Sequence, residues 1–131
     1  MKAGAVILDS PSKVYASAEL IIKVKEPVRE EFKYLNSTHT VFAYLHLAGD
    51  PQTGIELTAT GITGIALETV TADDGSMPLL SPMSCIAGQL SVIVGSYHLL
   101  KPNKGMGTLV GSFDNIDPRT VTVIGAGVAG T

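Results

Sequence analysis

Short aliphatic runs, rich in β-branched residues, alternate along this chain with segments that carry helix-start signals. The runs that we predict as strands are Ala5–Leu8, Leu20–Val24, Val41–Leu45, Ile62–Leu67 and Val121–Ile124. Helices are expected to open at Ser10-Pro11, at Pro27-Val28 and at Asp50-Pro51, and Gly61 is expected to end the last of these. Strands and helices at this spacing pair the strands in parallel through right-handed crossovers, which predicts an α/β layered domain.

The stretch from Gly75 to Leu100 contains no charged residue and is predicted to form one long helix from about Pro82 to Leu100. Small and bulky residues fall on different sides of it, namely Ser84, Gly88, Ser91 and Gly95 against Ile86, Leu90, Ile93 and Tyr97. We interpret it as a helix packed on both sides at a domain or subunit interface. The stretch is long enough to span a bilayer, but its serines, Gln89 and His98 favour a helix buried in protein. The segment from Lys101 to Pro118 is rich in glycine and proline, which indicates a linker or binding loop.

The charge and cysteine content of the chain limit the partners and the cell compartment that we expect for it. The formal net charge is -3 and the basic residues are scattered, so a nucleic-acid backbone would meet little opposite charge. Cys85 is the single cysteine and cannot form an internal disulfide, and the first residues lack the apolar run of a signal peptide. We therefore expect a cytoplasmic protein that binds neither nucleic acid nor membrane.

The most specific motif lies at Thr120–Thr131, where a predicted strand runs directly into a G-x-G-x-x-G pattern. Gly125 would permit a tight turn, Gly127 would let the backbone approach a pyrophosphate, and Gly130 would let a helix pack on the strand. In dinucleotide-binding domains a helix and, about twenty positions later, an acidic residue complete the site. We expect the start of a truncated dinucleotide-binding domain; a flexible glycine-rich tail is the alternative.

Polar residues follow three of the predicted strands, at the edge where open α/β sheets bind ligands. They are Lys25, His46 and Glu68. A lysine can bind a carboxylate or polarise a carbonyl, and a histidine can exchange a proton near neutral pH, which suits a keto-acid or amino-acid substrate. The alternatives are a solvated turn at Lys25-Glu26, before Pro27, and a buried, backbone-bonded imidazole at His46.

The remaining candidates for chemistry are weaker. His39 and His98 are predicted to be structural, one at a strand start and the other beside the end of the long helix. No cluster has metal-ligand spacing, and there is no G-x-S-x-G nucleophile motif. Metalloenzyme and hydrolase functions are therefore disfavoured.

Four segments, in order along nearly the whole chain, resemble the alanine dehydrogenase family. They are IKVKEP at Ile22–Pro27, YLHLA at Tyr44–Ala48, LLSPMS at Leu79–Ser84 followed by Ala87-Gly88, and IGAGVAGT at Ile124–Thr131. The related proton-translocating transhydrogenase α subunit shares the architecture, but the first two segments are more similar to alanine dehydrogenase.

The resemblance implies the domain organisation. Residues 1–82 would form a partial Rossmann-like (flavodoxin-like) substrate-binding domain with a parallel sheet. Residues 83–118 would form a long interdomain helix and a Gly/Pro loop, and residues 119–131 the first strand of a truncated NAD-binding Rossmann domain.

The resemblance also implies an NAD-dependent oxidoreductase that interconverts L-alanine with pyruvate and ammonia, usually as a cytoplasmic homo-hexamer. Its residues carry over one by one: Lys25 binds the substrate and His46 contacts it as an acid/base group, Met83 lines the substrate cleft and Ser84 the cofactor side, and Gly125, Gly127 and Gly130 form the pyrophosphate turn. Lys25 and His46 are thus the predicted catalytic pair.

The chain departs from the family pattern in three places. The family's arginine for the substrate carboxylate lies on a strand that would precede Met1, its essential aspartate and ribose-binding acid would follow Thr131, and Cys85 replaces a common acidic residue. We therefore expect an internal fragment that is inactive alone. The alternatives are a non-catalytic remnant, one half of a split enzyme that pairs with a separate NAD-binding chain, and a transhydrogenase-like subunit.

Overall fold

The computed structural model describes residues 3–112 and 114–131. The chain divides into two compact units, Met1–Met77 and Pro78–Thr131. The finer division at residues 82 and 118 stays a prediction.

A parallel sheet of three strands organises the first unit. β1 is Leu20–Lys25, β2 is Thr40–Tyr44 and β3 is Thr63–Ala66, and the spatial order is β1-β2-β3. Both pairings are parallel, with Ile21 beside Val41 and Val41 beside Gly64. This sheet confirms the predicted α/β class and its three central strands. No tight hairpin joins consecutive strands, and the longer connections between them allow parallel pairing.

Helices connect these strands near the predicted positions. α1, Pro11–Ala16, precedes β1, and α2, Pro51–Ala59, joins β2 to β3. At the start of α2 the Asp50 carboxylate accepts hydrogen bonds from the backbone N–H of Thr53 at 3.2 Å and from its hydroxyl at 2.6 Å, which satisfies a free N–H of the first turn. The segment after Pro27 forms a 3₁₀ helix, Arg29–Tyr34, and a second 3₁₀ helix, Leu67–Thr69, follows β3.

The buried core belongs to the first unit. It consists of Tyr15, Ile21, Leu35, Val41, Ala43, Leu45 and Leu57. β2 alternates buried and half-buried residues, as expected for a strand with a neighbour on each side. This core anchors the carboxyl end of β2, because Leu45 remains buried one residue beyond the strand.

Two of the predicted strands do not form. Ala5–Leu8 and Val121–Ile124 have no strand assignment, and Val6 and Ile124 are 81% and 97% exposed. β-branched residues favour a strand only where another strand supplies ladder partners and a face to pack on. Among the described residues neither segment has such a neighbour, so these two predictions are wrong.

The second unit is dominated by one helix. α3, Ser81–Leu99, is followed by a short 3₁₀ helix, Lys101–Asn103, which confirms the predicted long helix. None of the α3 residues is buried, and Ile86, Leu90, Ile93 and Tyr97 are at least half exposed. The expectation that α3 packs on both faces is therefore not met among the residues that the structure describes. No helix in the described ranges has the length and apolar character needed to cross a membrane.

Candidate functional site

The sheet brings the ends of β1 and β2 to one edge. Lys25 is the last residue of β1 and pairs with Tyr44, which precedes His46 by two positions. A register shift between Ile22 and Lys25 adjusts this pairing, and an irregularity of this kind re-aims the side chains beyond it. Lys25 and His46 are both exposed, so neither side chain belongs to the core.

The His46 ring is bound by a carboxylate from the neighbouring strand end. Its Nδ1 lies 3.1 Å from Glu26 Oε2, and the Tyr44 ring lies beside it with 6.0 Å between ring centroids. Glu26 is followed by Pro27, which is fully buried and fixes the chain at this point. The geometry thus places a cationic Lys25, an anionic Glu26 and an imidazole along one edge of the sheet.

The backbone around His46 is held by Glu68. The Glu68 carboxylate accepts hydrogen bonds from the Leu45 N–H at 3.1 and 3.2 Å and from the His46 N–H at 2.7 Å. Glu68 lies in the 3₁₀ helix after β3, so residues from all three strand ends converge. Glu68, the polar residue predicted at the end of the third strand, therefore binds the backbone of the two residues that follow β2.

Hydrogen bonds keep both carboxyl groups ionised. A hydrogen bond from its own backbone N–H, supported by His46 and by the charge of Lys25, lowers the pKa of Glu26. Burial raises the pKa of Glu68, but hydrogen bonds from the backbone N–H groups of Glu68, His46 and Leu45 outweigh it and leave the pKa lowered. Both groups are consequently acceptors near neutral pH.

Glu26 was not singled out from the sequence. It follows Lys25 directly and precedes Pro27, a position that is typical of a solvated turn. Only the pairing of Lys25 with Tyr44 shows that Glu26 lies within reach of His46. The structural role predicted for His39 is confirmed: it is buried, its Nε2 lies 3.0 Å from the Tyr15 carbonyl, and its Nδ1 accepts from the Asn36 N–H at 3.1 Å.

The other predicted site residues belong to the second unit. Met83 and Ser84 form the first turn of α3, where their N–H groups donate to the Leu80 carbonyl at 3.0 and 3.1 Å. The Met83 side chain is half exposed. A pocket in this unit lies between α3 residues, including Cys85 and Gly88, and the segment Val128–Thr131.

The three glycines of the fingerprint meet different steric conditions. Gly125 has φ +106°, a conformation that other residues rarely adopt. A Cβ on Gly130 would collide with the Gly125 carbonyl, whereas the space beside Gly127 is open. The N–H groups of Gly130 and Thr131 donate to the Gly127 carbonyl at 3.0 and 3.1 Å. A tight turn with open backbone at its centre is the geometry that glycine-rich turns of dinucleotide-binding domains use to approach a pyrophosphate.

Comparison with known proteins places this architecture in a family. A model of the alanine dehydrogenase/PNT N-terminal domain matches residues 1–87, about two thirds of the chain. The chain belongs to the alanine dehydrogenase/PNT family. A model of the family's C-terminal domain matches residues 91–131.

Relatives of this family cover nearly the whole chain. Alanine dehydrogenase of Mycolicibacterium smegmatis is 46% identical over 98% of the chain, and that of Methanococcus maripaludis is 46% identical over 98%. A solved L-alanine dehydrogenase superposes with a TM-score of 0.80 at 40% identity over 98% of this chain, and the match spans 36% of the solved structure. A transhydrogenase from Sinorhizobium meliloti superposes with a TM-score of 0.58 at 27% identity, over 74% of this chain and 29% of the other. The chain spans about a third of the length of the curated relatives, 34% and 35%.

Within residues 3–112 and 114–131, no group of three or more His, Cys, Asp or Glu side chains is arranged to hold a metal ion.

Proposed function

We propose that this chain supplies the substrate-binding part of an NAD-dependent alanine dehydrogenase, which converts L-alanine, NAD and water to pyruvate, ammonia and NADH. The observation that carries the proposal is the convergence of Lys25, Glu26 and His46 at one sheet edge, in a chain that is 46% identical to alanine dehydrogenases. A cation and a proton-exchanging ring at one edge are what a keto-acid substrate needs.

Each residue has a role in the proposal. The Lys25 ammonium binds the substrate oxygens, and the His46 ring exchanges protons as the imine of pyruvate forms and hydrolyses. Met83 lines the substrate cleft, Ser84 contacts the cofactor, and Gly125, Gly127 and Gly130 hold its pyrophosphate. NAD supplies the hydride acceptor when bound.

The proposal includes a setting for the enzyme. We place it in the cytoplasm as a homo-oligomer that binds neither nucleic acid nor membrane. The support for this setting is the free Cys85 thiol, the acidic net charge of -3, and the exposed apolar side chains of α3.

Alanine-dependent NADH formation tests the proposal. The chain is assayed alone and mixed with polypeptides that together cover the remaining length of the Mycolicibacterium smegmatis relative. We expect activity in the mixture and none from the chain alone. Lys25→Met and His46→Asn should each lower it by about 100-fold, as for a lost binding or proton-transfer group. Lys33→Met, in the first 3₁₀ helix, and His98→Asn, in α3, alter the same residue types outside the proposed site and are the matched controls.

The outcomes of this assay are distinct. Activity that needs Lys25 and His46 supports a functional part of the enzyme, whereas a folded but inactive mixture, or His46→Asn with full activity, contradicts the proposal. The second candidate is a transhydrogenase-like subunit, which the Sinorhizobium meliloti structure favours at a lower TM-score of 0.58. Hydride exchange between two nicotinamide nucleotides in the absence of alanine would identify it.

A further inference from the structure

His46 adopts a backbone conformation that side chains normally avoid. Its φ is +50°, in the left-handed region, and it is one of three such non-glycine residues in the described chain. Its carbonyl accepts hydrogen bonds from the N–H of Gly49 at 2.9 Å and of Asp50 at 3.4 Å. A strained residue of this kind persists only where its surroundings hold it, and such residues concentrate at functional sites.

Glu68 supplies the contact that holds this conformation. Its carboxylate binds the N–H groups of both Leu45 and His46, and the shortest of these hydrogen bonds, to His46, is 2.7 Å. A carboxylate bonded to N–H groups forms stronger hydrogen bonds than a neutral acceptor does. Because Leu45 is buried and anchors one side, the carboxylate determines where the chain turns away from β2.

Glu26 fixes the orientation of the His46 ring. An ionised carboxylate can only accept, so the His46 Nδ1 that lies 3.1 Å from Glu26 Oε2 carries a proton. In the neutral ring, Nε2 is then the nitrogen that can take a proton from a ligand. Glu26 and Glu68 therefore act on different parts of one residue, the ring and the backbone.

We propose that Glu26 and Glu68 are positioning residues for His46: Glu68 holds its backbone in the left-handed turn, and Glu26 orients its ring with Nε2 as the proton-exchanging atom. The catalytic meaning of this arrangement rests on the proposed function, since it is His46 that would exchange protons with the substrate. Neither carboxylate touches the substrate in this scheme.

Nuclear magnetic resonance of the full chain tests the ring. Long-range ¹H–¹⁵N spectra, recorded where the histidines are neutral, distinguish protonation at Nδ1 from protonation at Nε2, and the His46→Asn spectrum assigns the signal. We expect the Nδ1–H form in the parent chain, its loss in Glu26→Ala, and its recovery in Glu26→Gln, whose amide oxygen still accepts. Glu30→Ala, an exposed acid nearby, is the control and should leave the ring unchanged.

Amide hydrogen exchange tests the backbone. In Glu68→Ala the Leu45 and His46 amides should exchange about tenfold faster, the equivalent of one lost hydrogen bond. Glu68→Gln keeps one acceptor oxygen and should give an intermediate rate. If Glu68→Ala loses its dispersed spectrum, the Gln variant carries the comparison. In the reconstituted mixture, Glu26→Ala and Glu68→Gln should lower kcat about tenfold while the KM for alanine changes little.

The two proposals fail separately. Unchanged ring and amide signals in the variants overturn the positioning role, even if the mixture turns over alanine. The expected ring and amide changes, in a mixture where His46→Asn retains full activity, support the geometry and overturn the proposed function. The expected signals together with a loss of kcat support both.

Discussion

Three carboxylates in the first unit accept hydrogen bonds from backbone N–H groups at the ends of elements. Asp50 binds the N–H of Thr53 at the start of α2, and Glu31 binds the N–H of Val28 at 2.8 Å before the first 3₁₀ helix. Glu68 does the same at the end of β2. In each case an acidic side chain satisfies a donor that the element itself leaves free. Single acidic residues therefore decide local backbone geometry, including that of His46.

Glu31 offers a test of this role through pH. Burial raises the pKa of Glu31, but hydrogen bonds from Lys23, from the Val28 N–H and from the Tyr15 hydroxyl outweigh it, so the folded-state pKa lies below the ordinary value of 4.5. The ionised form is thus favoured by folding. Its contribution is complete above about pH 4.5 and is lost as the pH falls through the lowered pKa.

We therefore expect Glu31→Gln to lower the free energy of unfolding by about 2 kcal/mol at pH 7, and by progressively less as the pH falls below 4.5. Urea denaturation at pH 7 and in acid measures this. The neighbouring Glu30→Gln, at an exposed position, should change little at either pH. An equal loss for Glu31→Gln at both pH values would contradict the electrostatic explanation.

At the scale of elements, α3 shows why its two glycines differ. A Cβ on Gly88 would collide with the Ala129 carbonyl oxygen, and the carbonyl carbon lies 3.1 Å from that Cβ position. Apart from its chain neighbours and the backbone of the helix itself, no atom of the described residues lies within 4 Å of the Cβ position of Gly95, on the same helix. Gly88 therefore allows the segment Val128–Thr131 to approach the helix backbone closely. Among the described residues, Gly95 has no comparable packing contact.

This contrast predicts opposite effects for the same substitution. Gly95→Ala should stabilise α3 by about 1 kcal/mol, since alanine is the better helix former. Gly88→Ala gains the same helix propensity but should displace the segment around Ala129. This displacement should shift the amide signals of Val128 and Gly130 and weaken any dinucleotide binding. Thermal unfolding and amide spectra of the two variants measure this. Unmoved signals in Gly88→Ala would show that the contact does not constrain the segment.

At the scale of the whole molecule, buried apolar side chains are distributed unequally. The core cluster lies in residues 15–57, and among the described residues from Pro78 onward none is buried. Hydrogen bonds alone stabilise an isolated helix poorly in water, and packing of an apolar face supplies most of the stability of helices in proteins. The first unit is therefore expected to be the more resistant to unfolding.

Hydrogen exchange of the full chain checks this expectation. Amides of β2 and of α2, which buries Thr53 and Leu57, should exchange at least about tenfold more slowly than those of α3. The comparison of α2 with α3 is matched, since both are helices and differ in packing. Protection of α3 equal to that of α2 would mean that its exposed apolar side chains are covered in solution, for which oligomerisation is the first explanation to test by sedimentation.

Local pattern was sufficient for the elements whose signals are themselves local. Hydrophobic periodicity, proline positions and N-cap residues predicted β1, β2, β3, α1, α2 and the long α3. Four short segments were enough to identify the family. These features depend on neighbouring residues along the chain, so the amino-acid order alone determines them.

Tertiary structure decided the features that depend on distant partners. Ala5–Leu8 and Val121–Ile124 have strand-like composition but no strand, because a ladder needs a second strand that composition does not report. Glu26 and Glu68 lie 20 and 22 positions from His46, and only the pairing of β1 with β2 and of β2 with β3 brings them to it. The sequence determined which residues stand at the strand ends, and the sheet register determined which of them touch.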